Sequence, residues 1–232
     1  MSKKDYYIIE KNRDKVIKGS YTNFLDPSTL NKVISKLKDF NYNIYYPYKD
    51  SEKVIIYTKE KPKIKLIEIS SFEKLTHREI MGSLYNQNID TELFGDIIIY
   101  NNHYYILIME NISNLILDTF NMVGNKHVKL KEVDLSTLEK YERKYEKKEI
   151  IVSSLRIDSV IAKLIGISRE NIKKKFSDNE IFLNYEECTK MTKNLIDGDI
   201  FSIRKYGKYK YNGIIKTNKK NHYIIECLKY ID

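Results

Sequence analysis

Only two cysteines occur in the 232 residues, Cys188 and Cys227, 39 positions apart. With no further thiol beside them they read as two ordinary reduced cysteines, which argues against a disulfide framework or a thiolate metal site. Histidine is also scarce: His77, His103, His127 and His222 lack the i, i+4 spacing of a zinc helix. The eight glycines, at 19, 82, 95, 124, 166, 198, 207 and 213, form no G-x-G pair and no P-loop. Dinucleotide, methyl-donor and nucleotide loops of those types are therefore excluded. No G-x-S-x-G nucleophile turn occurs either. His77 and Glu79 could be taken for an acid–base pair, but a helix-capping role already accounts for the glutamate. The expectation is a binding protein with no catalytic residue, no metal and no cofactor. No apolar run approaches the roughly 18 residues a membrane helix needs. The start, Met1-Ser2-Lys3-Lys4-Asp5, has no apolar signal region. A cytoplasmic location is expected.

What is abundant is positive charge. The net charge is +9 and the isoelectric point is near 9.2, which favours a polyanionic partner. Lysine outnumbers arginine 35 to 6, and a bias of that kind can arise from AT-rich codons, so the distribution is the better guide. Residues 153–232 hold 16 cations against 10 anions, whereas the first 152 residues hold 25 against 22. The excess is concentrated at the C-terminal end.

Asp26-Pro27 is a helix start, a capping carboxylate before a preorganised first residue, followed by Leu30, Val33, Ile34 and Leu37 on one face. With the β-rich stretch Val54–Tyr57, residues 1–70 read as a small N-terminal α/β module, sharing the strand at 64–69 with the next domain. Over 71–138 the pattern predicts a ferredoxin-like, RNA-recognition-like domain in the order β-α-β-β-α-β. Its elements are a strand at Ile64–Ile69, a helix opened by the capping box Thr76-His77-Arg78-Glu79, and strands Asp96–Tyr100 and His103–Met109 joined by Asn101-Asn102. A helix Asn111–Phe120, ended by Gly124, and a strand His127–Val133 complete it. The aromatic RNA-stacking signature of such domains is absent from the third strand, where His103-Tyr104-Tyr105 supplies rings without it. Residues 139–150 read as a charged, solvated linker, and 151–232 as a C-terminal domain ending in a hairpin. The fold class is α+β.

In the C-terminal segment Ile157, Val160, Ile161, Leu164 and Ile165 give one helix an apolar face, and Gly166 stops it. Ser168 caps a second helix whose Ile172 and Phe176 point inward, leaving Arg169, Lys173 and Lys174 as a cationic row. The amides at that helix start favour phosphate. Further on, Arg204-Lys205-Tyr206-Gly207-Lys208-Tyr209-Lys210 interleaves cations with rings, a pattern suited to a nucleic-acid strand. Arg156, Arg169 and Arg204 are three of only six arginines in a lysine-rich chain. The planar fork of arginine matches phosphate in two bonds where lysine makes a point contact.

The run Leu155–Asp158, Gly166–Arg169, Ile181–Asn184, Asp197-Gly198-Asp199 and the basic stretch 204–208 resembles the RNA-binding αL domain named after small-subunit ribosomal protein S-four. The resemblance implies Arg156, Ser168, Arg169, Lys173, Asn184, Lys205 and Lys208 as RNA contacts. The cationic row adds Lys174, and the basic stretch adds Arg204 and Tyr206. Many members have glycine after the asparagine, whereas this chain has Tyr185. Upstream, Phe24–Pro27, Leu75–Gly82 and Glu92–Ile97 resemble the bacterial YlmH-type proteins, in order along nearly the whole chain. That resemblance implies an αL domain behind two smaller domains. It also implies a role like that of ribosome-associated quality-control factors, which hold peptidyl-tRNA on a stalled large subunit; a link to cell division has been attached to the family as well. The expected partners are ribosomal RNA or tRNA and the large ribosomal subunit, bound by a monomer with no membrane association. Two other readings remain open: an RNA-modifying enzyme with an appended αL domain, and a DNA-binding regulator using the helix pair.

Overall fold

Helix α1 (Lys3–Ile17) buries Ile9, Asn12 and Val16 on one face, and an asparagine in that row breaks the apolar period by which a sequence betrays a helix. Asn12 is tolerated because its amide is used: Nδ2 donates to the Ile8 carbonyl and to Glu92, and Oδ1 accepts from the Asn23 amide. The computed structural model describes residues 3–231 in two units, one ending at Glu142 and the other spanning Arg143–Ile231. In the first unit, α2 (Pro27–Ser35) starts as its sequence requires, with Asp26 accepting from the Thr29 amide at 3.0 Å and proline in the first turn. Strands β1 (Asn43–Tyr45) and β2 (Ile55–Tyr57) pair antiparallel, and Leu25, Val33, Leu37 and Ile56 close a small core with α1.

Next come β3 (Ile64–Ser70), α3 (His77–Asn86), β4 (Phe94–Tyr100) and β5 (His103–Met109). Thr76 and Glu79 exchange both bonds of the capping box, and Asn101 and Asn102 take φ of 51° and 63° to turn β4 into β5. A 3-10 turn (Glu110–Ile112) leads into α4 (Ser113–Thr119), then β6 (Met122–Val123), β7 (Lys126–His127) and β8 (Lys129–Val133). The sheet order is β4-β5-β3-β8, antiparallel throughout. Two local expectations change here. Helix α4 stops at Thr119, with Gly124 instead at positive φ between β6 and β7. His127 belongs to that short hairpin, so the final strand begins at Lys129.

Both faces of this sheet are covered. On one, Ile67, Ile69, Tyr104, Ile106 and Ile108 pack against α3 and α4 through Ile80, Leu84 and Ile116. On the other, Leu66, Ile98, Tyr105 and Leu107 meet Phe24, Tyr48, Ile55 and Leu138. Phe24 can lie flat there because Gly95 has no side chain: a Cβ would come 2.8 Å from the Phe24 ring and 2.9 Å from the Leu107 Cβ. The Phe24 amide also donates to the Glu92 carbonyl, and Asp96 accepts from the Tyr48 hydroxyl at 2.6 Å and from the Glu52 amide at 2.8 Å. The motifs around Phe24 and Gly95 are therefore the two halves of one interface inside the first unit.

The second unit contains β9 (Tyr145–Val152), α5 (Ile157–Ile165), α6 (Arg169–Ser177), β10 (Ile181–Leu183), β11 (Glu186–Glu187), β12 (Ile200–Ile203), β13 (Gly207–Thr217) and β14 (Tyr223–Tyr230). Its sheet runs β11-β10-β12-β13-β14-β9. The run 139–150 is thus not a linker from Tyr145 onward. It is an edge strand pairing with β14 over eight residues, from Tyr145↔Tyr230 to Val152↔Tyr223. Its four charged residues, Glu146–Glu149, come before inward-facing Ile150 and Val152, and lysines on an edge discourage pairing with another chain. Val160, Ile161, Ile172 and Phe176 from the two helices bury against Phe201, Tyr211, Ile225 and Cys227. At about 1.5–3 kcal/mol for each large apolar side chain removed from water, this contact is what holds two nine-residue helices in place.

Candidate nucleic-acid interface

Helix α5 ends at Gly166 in the left-handed conformation (φ 69°, ψ 36°), and three residues later α6 begins, with Ser168 accepting from the Asn171 amide at 3.2 Å. This tight reversal, with β9 running in beside it, encloses an open groove of about 630 Å³. Arg156, Lys163, Arg169 and Lys173 all line it, together with Asp158 and Ser159. Three of these cations were expected from the sequence; Lys163 was missed. It lies on α5, whose apolar pattern draws attention to the buried face, and the helix reversal brings it into the same groove as Arg169.

The cations differ in how free they are. The Arg156 guanidinium is held by Asp158, with Nε donating at 3.1 Å and Nη2 at 2.5 Å. That carboxylate raises the arginine further above its already high pKa. Asp158 is itself fixed by the Ser159 amide, at 2.8 Å. Arg169, Lys163 and Lys173 have no ion pair among the described residues and are exposed. Arg169 and Lys173 are one helical turn apart and point the same way.

The basic stretch forms a second cluster. Arg204, Lys205 and Tyr206 make the turn from β12 to β13, with Lys205 at φ 72° and the Arg204 amide donating to the Glu180 carbonyl at 2.9 Å. Lys175 Nζ bonds Glu180 at 2.7 Å and sits 4.9 Å from the centre of the Tyr206 ring. The Lys175 bond, aided by the nearby Lys205 and Arg204 charges, holds the Glu180 carboxyl below its usual range. Lys208 lies over two rings, 4.6 Å from Tyr185 and 5.0 Å from Tyr230. This turn therefore adjoins Lys175, near the C-terminal end of α6. Arg169, at the other end, is about 9 Å away along the axis. The expected single cationic face is thus two patches, with the exposed Lys174 on the helix between them.

Asn184 is exposed but already engaged within the fold. Its Nδ2 donates to Asp199 at 2.8 Å, and its Oδ1 accepts from the Ile200 amide at 2.9 Å. Both halves of the amide are used to align β12 beside β10. Asn184 and Tyr185 have φ of 50° and 68°, so the turn keeps the left-handed geometry that glycine would take, and the tyrosine ring becomes the platform for Lys208.

The sheet of the first unit is not a stacking platform. Tyr105 is 6% exposed under the N-terminal elements, and Tyr104 turns to the helical side, where its hydroxyl accepts from the Leu75 amide at 2.9 Å. His103 remains at the open end, with Nδ1 2.5 Å from Glu68 Oε1. Glu79 bonds Lys126 and the Thr76 cap, which together hold its carboxyl down to about 2. Among the described residues no group of three His, Cys, Asp or Glu side chains could hold a metal ion, and no helix is long and apolar enough to cross a membrane.

Together these features define a two-unit α+β protein whose prominent concavity is an open cationic groove. Residues 58–137 match the family model described as "Putative RNA-binding domain in YlmH", a segment lying wholly in the first unit. The chain is 25% identical over 150 residues to "Ribosome-associated protein quality control protein P2" of Bacillus subtilis (strain 168), spanning 65% of this chain and 58% of that relative's length. It is also similar to the solved structure of "Cell division protein ylmH from Streptococcus pneumoniae", with 24% identity and a TM-score of 0.46, covering 60% of this chain and 96% of that one.

Proposed function

We propose that this chain is a non-catalytic factor that binds structured ribosomal RNA or tRNA on the large ribosomal subunit, in ribosome-associated quality control. The observation that carries the reading is the groove between α5 and α6, where Arg156, Lys163, Arg169 and Lys173 converge on one open concavity with the start of α6. Four cations around an unenclosed space suit a run of phosphates, and the exposed arginine supplies a planar fork for one of them. We read the second unit as an αL domain on its helix-turn-helix, its following strands and its basic turn. The sheet order and helix placement of the first unit support the ferredoxin-like reading of residues 64–133. The relative's name supports the ribosomal setting. In this reading the protein is cytoplasmic, works as a monomer, and acts by holding RNA in position without turnover.

The test is sedimentation of the purified chain with separated ribosomal subunits, with crosslinked RNA nucleotides mapped. Co-migration with the large subunit and crosslinks from α5–α6 are expected. Migration with neither subunit, together with preference for duplex DNA in competition, would instead favour the regulator reading.

A further inference from the structure

Phe72 is 104% exposed, the most exposed apolar side chain among the described residues, and it stands at the tip of the loop between β3 and α3. Hydrophobic residues in loops are commonly exposed in part; a whole ring in water on a rigid loop is less common. This loop is pinned on both sides of the ring. Ser71 Oγ donates to the His127 carbonyl at 3.2 Å and accepts from the Glu73 amide at 3.2 Å. Lys126 Nζ donates to the Lys74 carbonyl at 2.9 Å, and Leu75 is buried in the core with its amide bonded to Tyr104. The ring is therefore presented by an ordered tip, which lowers the entropy lost when something covers it.

We infer that Phe72 is a stacking platform for an unpaired nucleobase, framed by Lys74, Arg78 and Lys129 as backbone contacts. Lys74 is two residues from the ring and Arg78 lies in the first turn of α3. Lys129 is paired with Ser70 across β3 and β8. All three are exposed, while Glu79, one of the two nearby anions, is already engaged by Lys126. A protein-binding anchor would be expected within a wider apolar patch. Here the neighbours are Ser70, Ser71, Glu73 and Lys74. A lone ring with a cationic rim is the arrangement that reads single strands, since every base has a π-face. This inference rests on the RNA-binding reading, and gives the first unit a contact that its covered sheet cannot make.

The chain contains no tryptophan, so Phe72→Trp installs a single fluorophore at the tip. The probe is an adenosine homopolymer of about 12 nucleotides, within the span of typical single-strand sites. It is added to the full chain carrying Arg169→Ala and Lys173→Ala, so that the groove contributes less. Quenching of the indole in Phe72→Trp is expected, with none for Phe40→Trp, an exposed ring elsewhere in the first unit. In the same background Phe72→Ala should weaken oligonucleotide binding roughly five- to a hundredfold, the range for losing one base-stacking ring, with the melting temperature unchanged. No quenching in Phe72→Trp, or equal affinity for Phe72→Ala, in a protein whose groove-intact form still binds tRNA would overturn this inference alone. Self-association abolished by Phe72→Ala would assign the ring to a second copy of this chain and also overturn it. Failure of the groove-intact protein to bind either RNA would remove the broader reading with it.

Discussion

At the scale of single residues, one carboxylate opposes the four cations of the groove. Asp158 occupies the Nε–Nη2 edge of the Arg156 guanidinium, so a phosphate bound on that edge must either displace it or accept its repulsion. Asp158→Asn should therefore tighten RNA binding, with the gain largest at low salt, as measured by filter binding or anisotropy. Weaker binding by a well-folded Asp158→Asn protein would mean that the aspartate presents Arg156 in its working orientation. Lys53 supplies a second test. Its ammonium donates to the Thr91 and Phe94 carbonyls, both at 2.7 Å, and burial pulls its pKa down from 10.5 to about 8 despite the nearby Asp96. Between about pH 8 and 10.5 the unfolded chain holds this proton and the folded chain does not, so folding stability rises with pH across that window. Lys53→Met should lack that component, seen as a wild-type melting temperature that gains on the variant between those pH values. The capping residues Asp26, Thr76 and Ser168 were legible in the sequence because each acts within three residues. Lys163, the pairing of Glu180 with Lys175, and Phe24 against Gly95 were not, because through-space partners leave no local signature.

At the scale of elements, β9 decides where the second unit begins. A strand that pairs residue for residue with β14 is part of the sheet, so a fragment starting at Arg143 should melt cooperatively on its own. A fragment starting at Glu149 removes Tyr145–Lys148 and their pairing with Cys227–Tyr230, and should melt well below the longer one or not cooperatively at all. Equal melting temperatures for the two would return this run to the status of a linker. The sequence misled here because Tyr-Glu-Lys-Lys-Glu has the composition of solvated chain, and its place on a sheet edge is a tertiary fact. Gly95 makes a similar point inside the first unit. Gly95→Ala should cost about 1–3 kcal/mol in denaturant unfolding, since the Phe24 ring and Leu107 must move to admit a methyl group. Helix α1 was not legible because of Asn12: its buried face is closed by a polar side chain that its bonds to Ile8, Glu92 and Asn23 make tolerable.

At the scale of the whole molecule, the excess positive charge of the C-terminal 80 residues points to the half of the chain that holds the groove but does not map it. Charge counting joined Arg169 and Lys173 to the 204–208 stretch, and the fold separates them along α6. The two patches therefore make separable contributions. If the groove engages about four phosphates, the slope of log affinity against log salt should be about −2.8 to −3.6, at roughly 0.7–0.9 per contact. Salt titration of tRNA or large-subunit binding, on wild type and on folded Arg169→Ala/Lys173→Ala, is the most direct test that this groove is where RNA sits. The expected result is a slope flattened by about 1.4 to 1.8 units in that double variant, with Lys61→Ala in the first unit unchanged. Identical slopes for wild type and the groove double variant would contradict it.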